Sequence, residues 1–310
     1  MKKSEKKKKP LWVYLCIDIG TLLLFVLVHY LLLMHEKPLR TPLGQLVNVD
    51  GNQISVYTEG SGNETLVFLS GSETPAPILD FKSLYTLLSD EYQIVVVERF
   101  GYGFSDTVDK PRDIDTVLSE TRAALEAADI EGPFILCPHS LSGLESLYWA
   151  QQYPDEVKAI IGLDMAVPEM FDNFKNNSVL NTLNSINTKV GLIRFLPLLR
   201  DMDCVKHGTL SEEEKDIVHA LLYKKFYNKT VINEFKYFKD NAKTVDAGEV
   251  PQVPMLLFVS SDKNKTDWPS YIQNYTADVK DAEIIHLDCP HYIHDYEYVR
   301  ISEEIKAYLQ

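Results

Sequence analysis

Cysteine is scarce in this chain of 310 residues. Its four positions, Cys16, Cys137, Cys204 and Cys289, form no Cys-x-x-Cys pair and no Cys/His group at zinc spacing. A zinc-ribbon or dithiol redox site is therefore not expected. Cys16 falls in an apolar run and Cys137 in a buried-type strand. Only Cys204 and Cys289 are placed to pair, and four free thiols is the simpler expectation. A net positive charge is also confined to the N-terminus. The first ten residues hold six lysines and one glutamate, a net +5, while the whole chain carries −14, so the remainder carries −19. An acidic body lacks the basic face that nucleic-acid binding needs, and no nucleic-acid partner is expected. There is no internal repeat and no low-complexity tract beyond the lysines. The glycines of Gly101-x-Gly103 lack the third member of a phosphate-binding fingerprint and open no helix. No cofactor and no metal is implied.

What remains is ordinary globular material, 45% hydrophobic and 25% charged, long enough for one large α/β domain with additions. One apolar stretch, Leu11 to Met34, is interrupted only by Asp18 and His29, and its 24 residues suffice to cross a bilayer. Lysines crowd its N-terminal side, which predicts a cytoplasmic N-terminus and an extracytoplasmic body. A cleaved signal would have a shorter apolar core and a small-x-small site, and none follows Met34. The expected organisation is a lysine-rich tail (1–10), a single-pass cell-membrane anchor (11–34), a linker (35–43) and a globular domain (44–310).

Within that domain, Asp50-Gly51 separates two alternating runs, a hairpin signal. Strands are predicted at Thr65–Leu69, Tyr92–Glu98, Phe134–Cys137, Val157–Leu163, Met255–Val259 and Glu283–Leu287. Helices are predicted at Ile78–Leu88, at Ile114–Ala128 with Asp113 as N-cap, and from about 296 to 309. From about 167 to 250 no strand is visible, and the segment reads as helical. It far exceeds the usual connection of ~2–6 residues. Strand–helix alternation on both sides of such an insertion implies a mostly parallel sheet, covered by helices on both faces.

The most informative stretch is Phe134-Ile-Leu-Cys-Pro-His-Ser-Leu-Ser-Gly143. An apolar strand stops at His139-Ser140, and a helical pattern follows. A strand, a sharp turn and a helix would leave the Ser140 hydroxyl exposed and aim the first helical amides at the same point. Pro138 and Ser142 occupy places where glycine is commoner. With the order of motifs around it, the chain from Gln45 onward resembles the α/β-hydrolase family, in the branch with a helical cap after the sixth strand and as a bacterial, membrane-anchored member.

The resemblance implies a triad in the chain order Ser140, Asp262, His291. His291 lies in Cys289-Pro-His291, directly after the last strand, with His294 as competitor. Asp262 ends Phe258-Val-Ser-Ser-Asp262, after the seventh strand. Asp267 shares its loop, Asp164 follows the sixth strand where some relatives place the acid, and Asp288 lies close to the histidine in sequence. The oxyanion amides would be those of Leu141 and of Ser72, in Leu69-Ser-Gly-Ser-Glu73, where Ser70 replaces the usual histidine. Glu98-Arg-Phe-Gly-Tyr-Gly-Phe-Ser105 resembles the family's turn beneath the elbow, with Glu98 and Arg99 as supports. His139 reads as a packed residue, and Glu145 as a carboxylate suited to a positive helix end.

The implied activity is that of a serine hydrolase, a carboxylic esterase first. An aminopeptidase or amidase on the same triad and a non-catalytic binding module are the alternatives. The substrate would be a small molecule or short peptide; oligomeric state stays open. Met170, Phe171, Phe174, Phe195 and Leu196 either line a pocket or pack the cap. Sequons occur at Asn63, Asn176, Asn228, Asn264 and Asn274 and are read as unused, because Asn264 falls in the Asp262 loop.

Overall fold

Asp50 and Gly51 have φ of 52° and 79°, the doubly left-handed geometry that suits a two-residue hairpin turn. They join β1 (Gln45–Val49) to β2 (Asn52–Glu59), with Val47 opposite Ile54. The computed structural model describes residues 10–196, 201–262 and 267–310. Most of the lysine tail and the Asn264 sequon lie outside the described residues.

The hairpin feeds a sheet completed by β3 (Thr65–Leu69), β4 (Gln93–Glu98), β5 (Phe134–Pro138), β6 (Val157–Leu163), β7 (Met255–Ser260) and β8 (Ala282–Leu287). The order is β1-β2-β4-β3-β5-β6-β7-β8. Only β1–β2 and β2–β4 are antiparallel. The central strands are unbroken apolar runs because both faces are covered. Helices longer than two turns are α1 (Leu11–His35), α2 (Ile114–Ala127), α3 (Ser142–Gln152), α4 (Ser178–Lys189), α5 (Glu212–Lys225), α6 (Lys229–Asp246), α7 (Trp268–Thr276) and α8 (Tyr298–Leu309). Val67, Leu69 and Leu136 pack with Leu118 and Leu125 of α2, Leu147 and Trp149 of α3 and Ile272 of α7. Leu66, Phe68 and Ile135 face the other way, onto Phe81, Tyr85 and Ile301 and Ile305 of α8.

Local signals set most boundaries. Asp113 caps α2 by accepting the Thr116 amide at 3.0 Å. Ser211 and Glu214 form a reciprocal capping box at α5. The helix expected over 78–88 is instead two short turns, Pro77–Asp80 and Lys82–Tyr85. Phe81, at their junction, is driven into the core against Phe68, with ring centroids 5.2 Å apart. The insertion between β6 and β7 carries α4, α5 and α6, a helical cap as expected. α1 is long and apolar enough to cross a membrane. All four cysteines are free thiols.

The turn from Glu98 to Ser105 is structural. Phe104 N donates to Glu98 Oε2 at 2.8 Å, and a Cβ on Gly103 would lie 1.9 Å from the same carboxylate. Gly103 has φ of 48° as well, so a side chain is excluded twice over. Burial pushes the Glu98 carboxyl up from 4.5 to about 7, against the Phe104 amide. Between those values the folded protein holds a proton that the unfolded chain releases. The stabilisation is full below the window and lost as pH rises through it, by up to about 3 kcal/mol. Glu98→Gln is expected to flatten the fall in chemical-denaturation midpoint between about pH 5 and about pH 8; an unchanged slope would reject this account.

Candidate active site

Ser140 sits between β5 and α3 with φ of 53°, a region that a non-glycine residue enters only when its surroundings enforce it. Three contacts do so. His139 N donates to Leu69 O at 2.9 Å, and Ala166 N donates to Ser140 O at 2.8 Å. Gly143 lets the loop after β6 approach, since a Cβ there would lie 2.2 Å from Ala166 O. The two departures from the glycine pattern are accommodated. The buried Ser142 hydroxyl bonds Leu69 O at 2.6 Å and lies 2.9 Å from His139 O. Pro138 ends β5 opposite Leu69, and the next residue supplies the amide that bonds β3.

His291, on the loop after β8, has Nε2 2.9 Å from Ser140 Oγ. Its Nδ1 lies 2.5 Å from Asp164 Oδ2. Asp164 directly follows β6, is fully buried and has φ of 48°. Its Oδ1 accepts Ser260 N at 2.8 Å, and its Oδ2 accepts Ser260 Oγ at 2.7 Å. The carboxylate in contact with His291 is therefore not the one expected. The carboxylate on His291 Nδ1 belongs to Asp164, at the end of the sixth strand, and not to Asp262. The physical reason lies in Ser260, which ends β7 and turns both its donors toward Asp164. Asp262 stands two residues further on, half-buried, with its amide 3.5 Å from Ser260 Oγ. Asp288 accepts the Ser261 hydroxyl at 2.8 Å, and Asp267 immediately precedes α7.

The other histidines are placed elsewhere. His294 is buried and its Nε2 lies 3.0 Å from Asp80 Oδ2. His139 is buried too, with its ring centroid 4.7 Å from that of His291 and its Nε2 3.3 Å from His291 O. Asp80, His139 and His294 offer ligand atoms within 4.8 Å of one another and are the described residues that could hold a metal. The His294–Asp80 distance is that of an ordinary hydrogen bond, and the cluster reads as packing beneath the base-bearing loop.

The loop after β3 lies against the elbow. A Cβ on Gly71 would come within 2.9 Å of both His139 Nδ1 and Ser140 Cβ, so glycine is needed there. Arg99 Nη2 donates to Gly71 O at 3.2 Å. Glu73 N donates to Tyr102 Oη at 3.2 Å, and Tyr102 donates onward to Glu234 Oε2 at 2.5 Å. Arg99 also lies 3.5 Å from Glu145 and 4.0 Å from Glu234. Burial works against the Arg99 charge, but Glu234, Tyr102 and Glu145 outweigh it and hold the guanidinium protonated above its ordinary range. Burial pushes the Glu145 carboxyl upward, with Arg99 and Thr121 opposing. Glu145 thus sits in an internal network and does not merely face a helix end. Tyr102 and Glu234 were not visible as partners, because 132 positions separate them.

A family model described as alpha/beta hydrolase fold matches residues 77–298. The chain belongs to that family. It is 36% identical over 302 residues to the uncharacterized protein YbdG of Bacillus subtilis, covering 90% of this chain and 93% of that one. Among solved structures it is similar to an epoxide hydrolase from Bacillus megaterium, with a TM-score of 0.65 at 16% identity over 86% of this chain and 99% of that one. It is also similar to the enol-lactonase from Burkholderia xenovorans, with a TM-score of 0.59 at 15% identity over 86% and 99% of the two chains. At these identities the structural likeness is one of fold.

The two aspartates separate by experiment. Asp164→Asn is expected to lower the rate of fluorophosphonate labelling of Ser140 by up to about 10⁴-fold, as loss of the orienting carboxylate does in such sites. Asp262→Asn is expected to leave it within about threefold of the parent, because that side chain is not the one hydrogen bonded to Nδ1. The reverse ranking would restore Asp262 as the acid.

Proposed function

We propose that the protein is a membrane-anchored serine hydrolase that cleaves a carboxylic ester through an acyl-enzyme. The observation that carries this reading is the unbroken bridge from Ser140 Oγ through His291 to Asp164, at 2.9 Å and 2.5 Å. A serine hydroxyl is a weak nucleophile until a base within hydrogen-bond reach takes its proton. His291 Nε2 takes that proton as Ser140 Oγ attacks the ester carbonyl. Asp164 holds Nδ1–H and steadies the imidazolium that forms. The amides of Leu141 and Ser72 stabilise the oxyanion, with Arg99 and Tyr102 fixing the loop that carries Ser72. His291 then gives its proton to the departing alkoxide. Water, deprotonated by the same histidine, releases the acid and restores Ser140.

An ester is favoured over an amine-bearing peptide by one feature. Glu145, the carboxylate nearest the elbow helix start, is buried and bound to Arg99 and Thr121, so it does not present a charge to a substrate amine. The enol-lactonase among the fold neighbours is named for a cyclic ester. In this reading α1 is the single-pass anchor, with the lysine-rich end cytoplasmic and the hydrolase domain outside.

Ser140→Ala is expected to fold with an unchanged denaturation midpoint, to lose fluorophosphonate labelling, and to lose at least about 10³-fold in turnover of short acyl esters. Retained turnover would remove Ser140 as nucleophile. Turnover of aminoacyl amides in preference to esters would move the assignment to the peptidase class. Failure of the folded parent to label would leave the binding-module reading.

A further inference from the structure

The cap helix α4 has its polarity reversed. In a soluble helix the apolar residues face inward and the polar ones face water. Here Asn181, Ser185 and Thr188 are buried. Val179, Leu180, Leu183 and Ile186 face outward, 70%, 49%, 52% and 48% exposed. Their spacing places Val179, Leu183 and Ile186 along one side of the helix. The stripe continues past Gly191 into the short turn Leu192–Phe195, where Leu192, Phe195 and the following Leu196 are exposed as well. Scattered exposed apolar residues are unremarkable, but a contiguous outward face marks a surface meant to be covered.

What adjoins that face identifies its cover. The Leu192–Phe195 turn packs on α1, the helix long and apolar enough to span a bilayer. Phe195 meets Phe25 edge to face at 5.7 Å between centroids. Arg194 Nε donates to His29 Nδ1 at 3.0 Å, and Arg194 Nη1 bonds Glu36 at 2.7 Å. The Arg194 guanidinium also lies 4.2 Å above the Tyr223 ring. At a rise of about 1.5 Å per residue, Phe25 lies ~21 Å and His29 ~27 Å from Leu11 along the helix. A hydrocarbon core is about 30 Å thick. Phe25, and Phe195 beside it, therefore fall inside the far edge of the core. His29 falls just inside that edge and Glu36, ~37 Å along, beyond it, so Arg194 joins the core edge to the headgroup layer, where arginine and tyrosine anchor.

We infer that the cap is seated in the membrane: the outer face of α4 and the turn after it dip into the leaflet in which α1 ends, with the lipid bilayer as the partner. This rests on the reading of α1 as the membrane span. The surface stays apolar because lipid, not water, covers it, and the buried polar residues of α4 face the protein.

The test uses the full chain in lipid nanodiscs. In a Cys16→Ser background, with the remaining native cysteines buried, an environment-sensitive dye is attached at Leu183→Cys, Phe195→Cys, Ile19→Cys or Glu131→Cys. Ile19 reports the span, and Glu131 reports the strand end away from the cap. The expected result is blue-shifted emission and quenching by doxyl-labelled lipid at Leu183 and Phe195, as at Ile19, with neither at Glu131. Quenching at Ile19 alone would overturn the seating while leaving the anchor in place. A blue shift at Leu183 and Phe195 without lipid quenching would assign the face to a second copy or another protein and would also overturn it. Absence of quenching at all four would reject the span and the seating together. Fluorophosphonate labelling of Ser140 in the same nanodiscs reads the hydrolase assignment separately.

Discussion

Three strand ends meet at one buried carboxylate. Asp164 closes β6, accepts both donors of Ser260 at the end of β7, and receives Nδ1 of His291 from the loop after β8. A carboxylate with no exposure to water is tolerated only when its oxygens are matched by donors. Withdrawing one such bond leaves a desolvated group worth about 1–3 kcal/mol or more. The geometry at Ser140 inherits this constraint. Because Nδ1 faces an acceptor, it carries the ring proton, and the lone pair of Nε2 points to the Ser140 hydroxyl. The loop after Asp164 returns the constraint to the elbow, through Ala166 N on Ser140 O at 2.8 Å.

That arrangement shows what was legible in the sequence and what was not. The hairpin at Asp50-Gly51, the buried strands and the elbow are written in short-range patterns: alternation, a left-handed turn pair, an apolar run ended by His139-Ser140. Ser140 and His291, the proposed nucleophile and base, sit on such local signals. Asp164, the carboxylate on His291, does not. Asp164 and Asp262 both follow a buried strand at the same edge of the sheet, and nothing in either segment states which strand end leans toward His291. The decision lies in Ser260, whose amide and hydroxyl both turn toward Asp164, and a serine two residues before an aspartate carries no sequence mark of that role. The break at Phe81 has the same origin, since burial against Phe68 overrode a helical spacing that read as continuous.

A second set of long-range contacts joins the cap to the chemistry. Tyr102 stands in the turn beneath the elbow, takes the Glu73 amide from the loop after β3, and donates to Glu234 in α6 of the cap. Arg99 touches the same glutamate and the carbonyl of Gly71. Lys225 of α5 reaches the Ser105 carbonyl at the other end of that turn. Burial lowers the Lys225 ammonium to about 8, so this cap contact weakens as alkali removes its charge. The cap is thus bonded, through buried polar groups, to the loop that carries the Ser72 amide. Such groups are costly to leave unmatched, which makes cap position and loop position one variable rather than two.

The reversed helix α4 is accounted for when the membrane is included as a solvent. A cap helix must satisfy polar neighbours on its inner side and face whatever lies outside. For a domain surrounded by water, these demands make a helix that buries Asn181 and Ser185 while exposing Leu183 and Ile186 unfavourable on both sides. For a domain held against a bilayer by α1, the outer side meets hydrocarbon, and the same sequence satisfies both demands. Phe195 beside Phe25 and Arg194 beside His29 and Glu36 keep cap and anchor at matching depth, apolar against apolar and polar against polar. With α1 as the membrane span, the same contacts that join cap to helix would fix the depth at which the cap meets lipid.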